Sequence, residues 1–409
     1  MSKSKKIGFL VTGLFMLAGF LAWTYQYKEG LVITNMRNSY SWGLYVSGLA
    51  FFVGNAAGGL VLSSLIYLFG VKSLKPFAKI GALTAFANVM AAMFSILPDI
   101  GQPIRLYNMF LHPNFVSPLV WDVIVLNLYA ALSLSYLYIL MLPDFKGPLT
   151  KIALKVNDPK EFSEKWAKRL APFSLVAAIG IHVITAWIFA TQGGRDWWNS
   201  AVLAPDFIAV AVASGTAIVF IVSLLAYGFK EQHKQAYRTM AMIIATALFT
   251  HIFFMYNDFI IHAWYGAHEA METLSITFKD YGLTHAFEVI APLVAVILLL
   301  NSKVRQSSCA MISSCCLLVF GVFAHRFLLM PAAFDKIHLS IGPLGLQHTY
   351  WAFPIASGQY EPLKDTFVTK WHYFPSGIEV AIFMGVLAFM CFLVILAMDR
   401  LPIASEIEA

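Results

Sequence analysis

The chain has 409 residues, of which 59% are hydrophobic and 12% are charged, and its mean hydropathy is +0.71. So few charges cannot cover a water-soluble domain, and basic loops beside membrane spans explain the net charge of +6 without nucleic acid. The composition therefore excludes a soluble protein and a nucleic-acid-binding protein, and it predicts an all-α polytopic membrane protein.

Ten apolar stretches are long enough to cross a bilayer as helices. The first resembles a signal peptide, but Tyr25-Gln26-Tyr27 is not a small-residue cleavage site, so we expect a retained span. The predicted spans are residues 7–25, 42–70, 80–97, 117–142, 172–192, 205–229, 239–258, 285–301, 309–328 and 374–398. With the N-terminus inside, 19 of the 28 Lys and Arg fall on the inner side, which predicts that both termini are cytoplasmic.

The predicted loops differ between the two sides of the membrane. Inner loops are short and basic, except that residues 144–171 contain seven basic and four acidic residues and are expected to form an amphipathic surface helix. Outer loops are rich in Trp, Tyr, His, Pro and Gly. Two of them, 259–284 and 329–375, are long enough to carry function or to contact a partner, with a passive cap as the alternative.

Acidic residues in or near the spans all fall toward the outer end. They are Asp99, Asp122, Asp206, Asp258, Glu288 and Glu379. Such residues are costly in a membrane and indicate function. Asp206, Glu288 and Glu379 lie in predicted first turns, where stabilisation of the helix N-terminus is an equally good explanation. Asp99, Asp122 and Asp258 have no such explanation.

Two histidines, His182 and His251, lie nearest the middle of predicted spans. His251 shares a helix face with Asp258, and His262 extends that stripe if the helix continues; His182 shares a face with Thr185. His182 and His251 are one possible pair of haem ligands. The alternatives are a structurally satisfied histidine and one that binds a quinone carbonyl or relays a proton.

Cysteine usage argues against a metal centre in this chain. The four cysteines fall in apolar spans, without a Cys-x-x-Cys pair, an iron–sulfur spacing or a haem attachment motif. We therefore expect no intrinsic metal or haem, and any metal centres should belong to other subunits.

Polar runs within apolar sequence give the most specific pattern. They include the Trp42-Gly43 entry to a glycine-rich helix, Asp99-Ile100-Gly101-Gln102-Pro103, Trp121-Asp122, the run 182–205, and Pro375-Ser376-Gly377-Ile378-Glu379. In order and spacing, these motifs resemble the NrfD/PsrC family, the membrane subunits of polysulfide-reductase-type complexes. The length is similar to the ten-span branch, which includes membrane subunits of periplasmic hydrogenases and alternative complex III.

The resemblance implies a subunit of an anaerobic respiratory complex in the cytoplasmic (inner) membrane. It would exchange electrons between a quinone, menaquinone or ubiquinone, and a ferredoxin-like iron–sulfur subunit on the outer face. A molybdopterin, hydrogenase or dehalogenase subunit would lie beyond. It also implies two four-helix bundles, spans two to five and six to nine, flanked by spans one and ten. Within one membrane domain, 1–409, the expected segments are the quinone-side bundle 26–171, the second half-bundle region 172–328, the outer loop 329–373, and the last helix with a cytoplasmic tail, 374–409.

A quinone site needs an apolar slot, hydrogen-bond partners and groups that exchange protons. We expect His182 to donate to a quinone carbonyl and Asp122 or Asp99 to move its proton. The expected supporting residues are Trp42, Tyr45, Asn55, Arg105, Trp121 and Thr185. His251, Asp258 and Glu288 are candidates for a proton path.

Three other functions are compatible with a polytopic chain. A quinone-independent, proton-conducting subunit, as in organohalide respiration, would need the ionisable residues but no quinone. A passive anchor would leave Asp122 and His182 unexplained. A solute transporter would place acids near the midplane and contain an inverted repeat, which the outward bias of the acids disfavours. The chain itself is thus either quinone-reactive or a non-catalytic subunit.

Overall fold

The computed structural model describes residues 3–38, 40–195, 197–264, 266–335, 355–356, 367–368 and 372–403. In this part of the chain, ten helices are long and apolar enough to cross a membrane. They are α1 (Lys3–Glu29), α2 (Leu44–Tyr67), α3 (Ala78–Ile96), α4 (Pro118–Met141), α5 (Pro159–Ala190), α6 (Leu203–Tyr227), α7 (Lys234–Trp264), α8 (Gly282–Leu300), α9 (Ser308–Phe334) and α10 (Gly377–Arg400). The prediction of an all-α polytopic membrane protein with ten spans is confirmed.

Short elements connect the ten helices. Tyr107–Leu111 and His268–Ser275 are α-helical, and Ile276–Asp280 forms a π turn. The strands Ile355–Ala356 and Phe367–Val368 pair antiparallel within the predicted outer loop, most of which lies outside the described residues, as do residues 404–409. The 3-10 segments are Leu31–Ile33, Lys72–Phe77, Pro103–Leu106, Leu142–Asp144, Gly147–Ile152, Glu231–His233 and Val304–Gln306.

Three helices are longer than their hydropathy suggests. The expected amphipathic helix within residues 144–171 is confirmed in its second half, where Ser163 and Ala167 are buried and the charged residues are exposed, but it is the start of α5, which begins at Pro159 and continues through Pro172. Helix α7 continues to Trp264, so Asp258 lies inside the helix and not at its end. His262 is therefore also helical and extends the helix face that His251 and Asp258 share. Helix α9 likewise continues to Phe334. Helices α7 and α9 thus extend beyond their predicted ends through residues 259–264 and 329–334, and α5 extends before its predicted start.

The spans pack as two rings of four. Helices α2 to α5 contact one another in cyclic order, and α6 to α9 do the same, while α1 pairs with α10 and α10 packs on α3. Helix α2, the most buried span, joins the two bundles through α6. At that crossing, a Cβ atom on Gly58 would overlap the backbone of Gly215, so glycine permits the close approach of the bundles.

Candidate functional site

A cavity of about 740 Å³ lies at the end of the first bundle where α2 and α4 begin and α3 ends. Helices α2, α3 and α4 form its walls together with the segment that follows α3. Most of its lining is apolar, and Phe94, Phe110 and Leu119 at its rim are exposed, so the cavity opens at the surface of the protein. Its volume and character suit a small apolar ligand with a few polar anchors. The described polar residues that line it are Asp99, Gln102, Arg105, Asp122 and Asn127, beside the indole of Trp42.

Asp99 lies just beyond the end of α3, in a turn that Gly101 completes. Gly101 has φ +69°, a conformation that residues with a Cβ rarely adopt, and this turn brings the Asp99 carboxyl to the cavity. Its Oδ1 atom is buried and makes no hydrogen bond with any described residue. Burial, together with the negative charge of Glu379, raises the pKa of Asp99 from 3.8 to about 7. Asp99 can therefore gain or lose a proton near neutral pH.

Asp122 lies on the second turn of α4, and its side chain is buried. Thr185 of α5 donates a hydrogen bond to its Oδ1 at 2.6 Å and also lies 2.7 Å from the Ile181 carbonyl oxygen. A hydroxyl has one proton to donate and can also accept. When Asp122 is ionised, Thr185 donates to the carboxylate. When Asp122 is protonated, Thr185 can accept from it and donate to Ile181. The pair thus accommodates both states of the carboxyl group.

Trp42 and Arg105 line the cavity as expected of supporting residues. Trp42 also stacks on Trp198 with ring centroids 5.6 Å apart, which fixes the position of its indole at the junction of the bundles. Thr185 acts on the site through Asp122. The structure therefore brings Asp99, Asp122, Trp42, Arg105 and Thr185 to one place.

Four other predicted residues do not line the cavity. His182 is one of them: its Nδ1 lies 2.6 Å from the Ala178 carbonyl oxygen, and its ring faces the α2 backbone near Val53 and Gly54. His182 and Thr185 lie about 60° apart around the helix axis, and this offset is enough for Thr185 to reach Asp122 on α4 while His182 faces α2. The Nε2 atom of His182 is buried and makes no hydrogen bond with a described residue, so its expected contact with a quinone carbonyl stays a prediction.

The remaining three residues have their own surroundings. The Tyr45 hydroxyl donates to Gln26, and the Trp121 indole donates to the Phe115 carbonyl oxygen at 2.7 Å. Asn55 is buried, and its side-chain amide makes no hydrogen bond among the described residues. None of the three lines the cavity.

The second bundle contains an ionisable cluster near the end where α6 and α8 begin, and each of its four helices contributes to it. His251 Nδ1 lies 2.5 Å from Asp206 Oδ1, and His325 Nε2 lies 3.4 Å from Asp206 Oδ2. Glu288 joins the cluster through its two oxygens, which lie 2.5 Å from His285 Nδ1 and 3.2 Å from His325 Nδ1. These five side chains are all buried.

Stabilisation of helix N-termini does not fully account for the acids of this cluster. Asp206 lies in the first turn of α6, as predicted, whereas Glu288 is in the second turn of α8, which begins at Gly282, and both carboxylates face histidines. Glu379 forms a capping box with Ser376, as the capping explanation predicts. Sequence reasoning missed His285 and His325 because they lie outside the middle of their spans. The spacing of three residues between His285 and Glu288 was the available signal.

A small cavity of about 50 Å³ connects this cluster with Asp258. Asp206, Glu288, His325 and Asp258 all line it. Asp258 accepts a hydrogen bond from the Ser200 hydroxyl at 2.7 Å and is partly exposed. Of the predicted proton-path residues, Asp258 and Glu288 border the same space, and His251 reaches it through Asp206.

The family model for polysulphide reductase NrfD matches residues 32–337. A protein of Halobacterium salinarum, assigned as the membrane subunit of a dimethyl sulfoxide reductase, is 31% identical over 96% of this chain and 90% of its own length. A selenate reductase subunit of Mesobacillus selenatarsenatis is 24% identical over 85% of each chain. The Hdr-like menaquinol oxidoreductase integral membrane subunit of Archaeoglobus fulgidus is 26% identical over 76% of this chain and 75% of its own length.

Proposed function

Because the chain belongs to the NrfD family of polysulphide reductases, we propose that it is the membrane subunit of a respiratory oxidoreductase complex. It exchanges electrons between a quinone, menaquinone or ubiquinone, and an iron–sulfur subunit bound at its outer face. A catalytic oxidoreductase subunit, of the molybdopterin, hydrogenase or dehalogenase class, completes the complex. The names of the relatives support this assignment, since two are subunits of reductases and one is a subunit of a menaquinol oxidoreductase.

The observation that carries the proposal is the cavity of about 740 Å³. Its apolar walls and its opening at the surface suit a lipid-soluble ring that enters from the membrane. Its two carboxyl groups suit a reaction that releases or takes up protons, because Asp99 has an unpartnered buried oxygen and Asp122 is held by Thr185. An anchor would require neither feature.

A bound quinone supplies the redox chemistry, and its oxidation or reduction exchanges two electrons and two protons. Asp122, oriented by Thr185, is placed to hold one proton within the cavity. Asp99 exchanges the other with the outer surface. Trp42 shapes the wall nearest the second bundle, and Arg105 adds a positive charge near the outer end. The residues thus divide into proton-exchanging groups and groups that position the ring.

The ionisable cluster of the second bundle favours a second activity. His251, Asp258 and Glu288, linked through Asp206 and His325, form a proton path that opens toward the outer side. If the chain conducts protons without quinone, this cluster is the part that functions, and the first cavity is empty or holds lipid.

Asp122→Asn separates the quinone function from anchoring. In the purified complex we expect quinone-coupled turnover to fall by about 100-fold or more, because the variant cannot hold the proton, while the same set of subunits still assembles. The matched control is Glu164→Gln, an exposed acid near the inner end of α5 that pairs with Lys75. Lipid extraction from the wild-type complex should yield about one quinone per chain. Unchanged turnover in Asp122→Asn removes Asp122 from the site, and the absence of quinone supports the proton-conducting alternative.

The proposed location is the cytoplasmic membrane, with both termini in the cytoplasm. The excess of basic residues on the inner side supports this orientation. A reporter enzyme that works only in the cytoplasm should be active when it is fused after Ala409. A periplasmic signal would invert the topology and would place both cavities on the side away from the proposed iron–sulfur subunit.

A further inference from the structure

Three buried side chains of the second bundle converge on one point. Asp206 of α6, His251 of α7 and His325 of α9 each offer one ligand atom, and these atoms lie within 4.8 Å of one another. We propose that Asp206, His251 and His325 bind one divalent transition-metal ion of the zinc class.

The distances are close to those of a metal site. Four ligands at about 2.0 Å from a tetrahedral zinc ion are about 3.3 Å apart. Asp206 lies 2.5 Å from His251 and 3.4 Å from His325, measured between the facing oxygen and nitrogen atoms. The two imidazole rings are 4.5 Å apart between centroids. The two distances from Asp206 therefore differ from the tetrahedral spacing by less than about 1 Å.

Glu288 provides the outer contact that such a site requires. A histidine that binds a metal through one nitrogen is commonly held at the other by a carboxylate. His325 has this arrangement, because its Nδ1 lies 3.2 Å from Glu288 Oε2 while its Nε2 faces Asp206. That Nε2 atom is buried and makes no hydrogen bond of acceptable geometry with a described residue. A buried nitrogen that makes no hydrogen bond and lies 3.4 Å from Asp206 Oδ2 is the second, independent indication of a metal.

The adjoining cavity of about 50 Å³ supplies room and access. It borders Asp206 and His325 and is large enough for a water molecule as the fourth ligand. It extends to the partly exposed Asp258, whose carboxylate can attract a cation from the outer side. Two histidines, one carboxylate and one water form a common ligand set for zinc.

The metal and the proton compete for the same atoms. Zinc binds neutral imidazole and ionised carboxylate. While zinc is bound, His251 and His325 therefore cannot accept a further proton. This regulatory consequence rests on the proposed proton path, whereas metal binding itself does not. Outer-side zinc should therefore inhibit proton transfer.

The test uses the whole purified complex, treated with a chelator and then equilibrated with Zn²⁺ alone before elemental analysis. We expect about one zinc per chain, and a loss of affinity of at least about tenfold in His251→Gln, His325→Gln and Glu288→Gln. His112→Gln is the matched control, because His112 is exposed on the outer side and far from the cluster in sequence. Zinc content that is equal in all variants would mean an adventitious surface ion and would overturn the proposal.

Cobalt provides a measurement that needs no variant. Co²⁺ in the wild-type complex should give the intense visible bands of a tetrahedral site, and added Zn²⁺ should remove them. Weak octahedral bands alone would overturn the proposal. Both measurements are independent of turnover, so a failure of the quinone test leaves their outcome unaffected.

Discussion

Replacing Asp99 by asparagine should remove the pH dependence of quinol oxidation near neutrality. Asp99 lies at the cavity edge, where burial and the charge of Glu379 raise its pKa to about 7. A carboxyl group accepts a proton only when it is ionised. If Asp99 receives a proton from quinol, the wild-type rate should increase as the pH rises through the pKa, and quinone reduction should show the opposite trend.

The size of the effect follows from the pKa. With a pKa of about 7, roughly 1% of Asp99 is ionised at pH 5 and half at pH 7, so the rate should rise about 50-fold between them. An ordinary aspartate with a pKa of 3.8 would be almost fully ionised over this range and would give a flat profile. Asparagine cannot titrate, so the variant should be slow at every pH and its profile flat.

The assay is the initial rate of quinol-dependent dye reduction by the purified complex between about pH 5 and pH 9. Glu164→Gln serves as the control and should retain the wild-type profile, because the exposed Glu164 lies near the start of α5, whereas Thr185 beside the cavity lies near its end. An Asp99→Asn profile with the wild-type slope and midpoint would refute the reasoning, since another group would then be the one that titrates.

Three further substitutions test neighbouring features. Glu379→Gln should move the midpoint of the pH profile to lower pH, because it removes a negative charge that raises the pKa of Asp99. Glutamine can still cap α10, so the helix should be preserved, and an unchanged midpoint would contradict the prediction. Thr185→Val should lower kcat/KM about 10- to 100-fold by removing a charged hydrogen bond, and Thr185→Ser should restore it; equal rates would exclude Thr185 from positioning Asp122. Gly58→Ala should destabilise the protein by about 1–3 kcal/mol in thermal unfolding, whereas Gly180→Ala, with open space around its Cβ position, should not; equal melting temperatures would show that the bundles tolerate separation.

The sequence was sufficient for the spans and for much of the first site. Hydropathy identifies all ten helices because each must satisfy its backbone within the membrane. It places the ends poorly at α7 and α9, which continue through residues 259–264 and 329–334 beyond the charged residues Asp258 and Arg326, near which the predicted spans stop. The motifs indicated Asp99 and Asp122 because a charged group near a span requires an explanation beyond packing.

Contacts between helices were less predictable. His182 and Thr185 are three residues apart, yet only Thr185 meets Asp122, because the rotation of a helix about its own axis is set by its neighbours. The contact between His325 and Glu288 joins α9 to α8, and no local pattern specifies which faces of two helices meet. Such pairs become visible only when the bundle is assembled.

The contact between Gly58 and Gly215 has an architectural consequence. Helices α2 and α6 are the first helices of their bundles, and four spans separate their starting points, so they cross the membrane in the same direction. They meet near their middles, as the matching helices of a homodimer would. The two bundles therefore meet through their first helices, which run side by side at a separation that only glycine allows. The same pair of helices also borders both ionisable regions, so a shift of one bundle against the other would move the wall of the apolar cavity and the helix that carries Asp206 together.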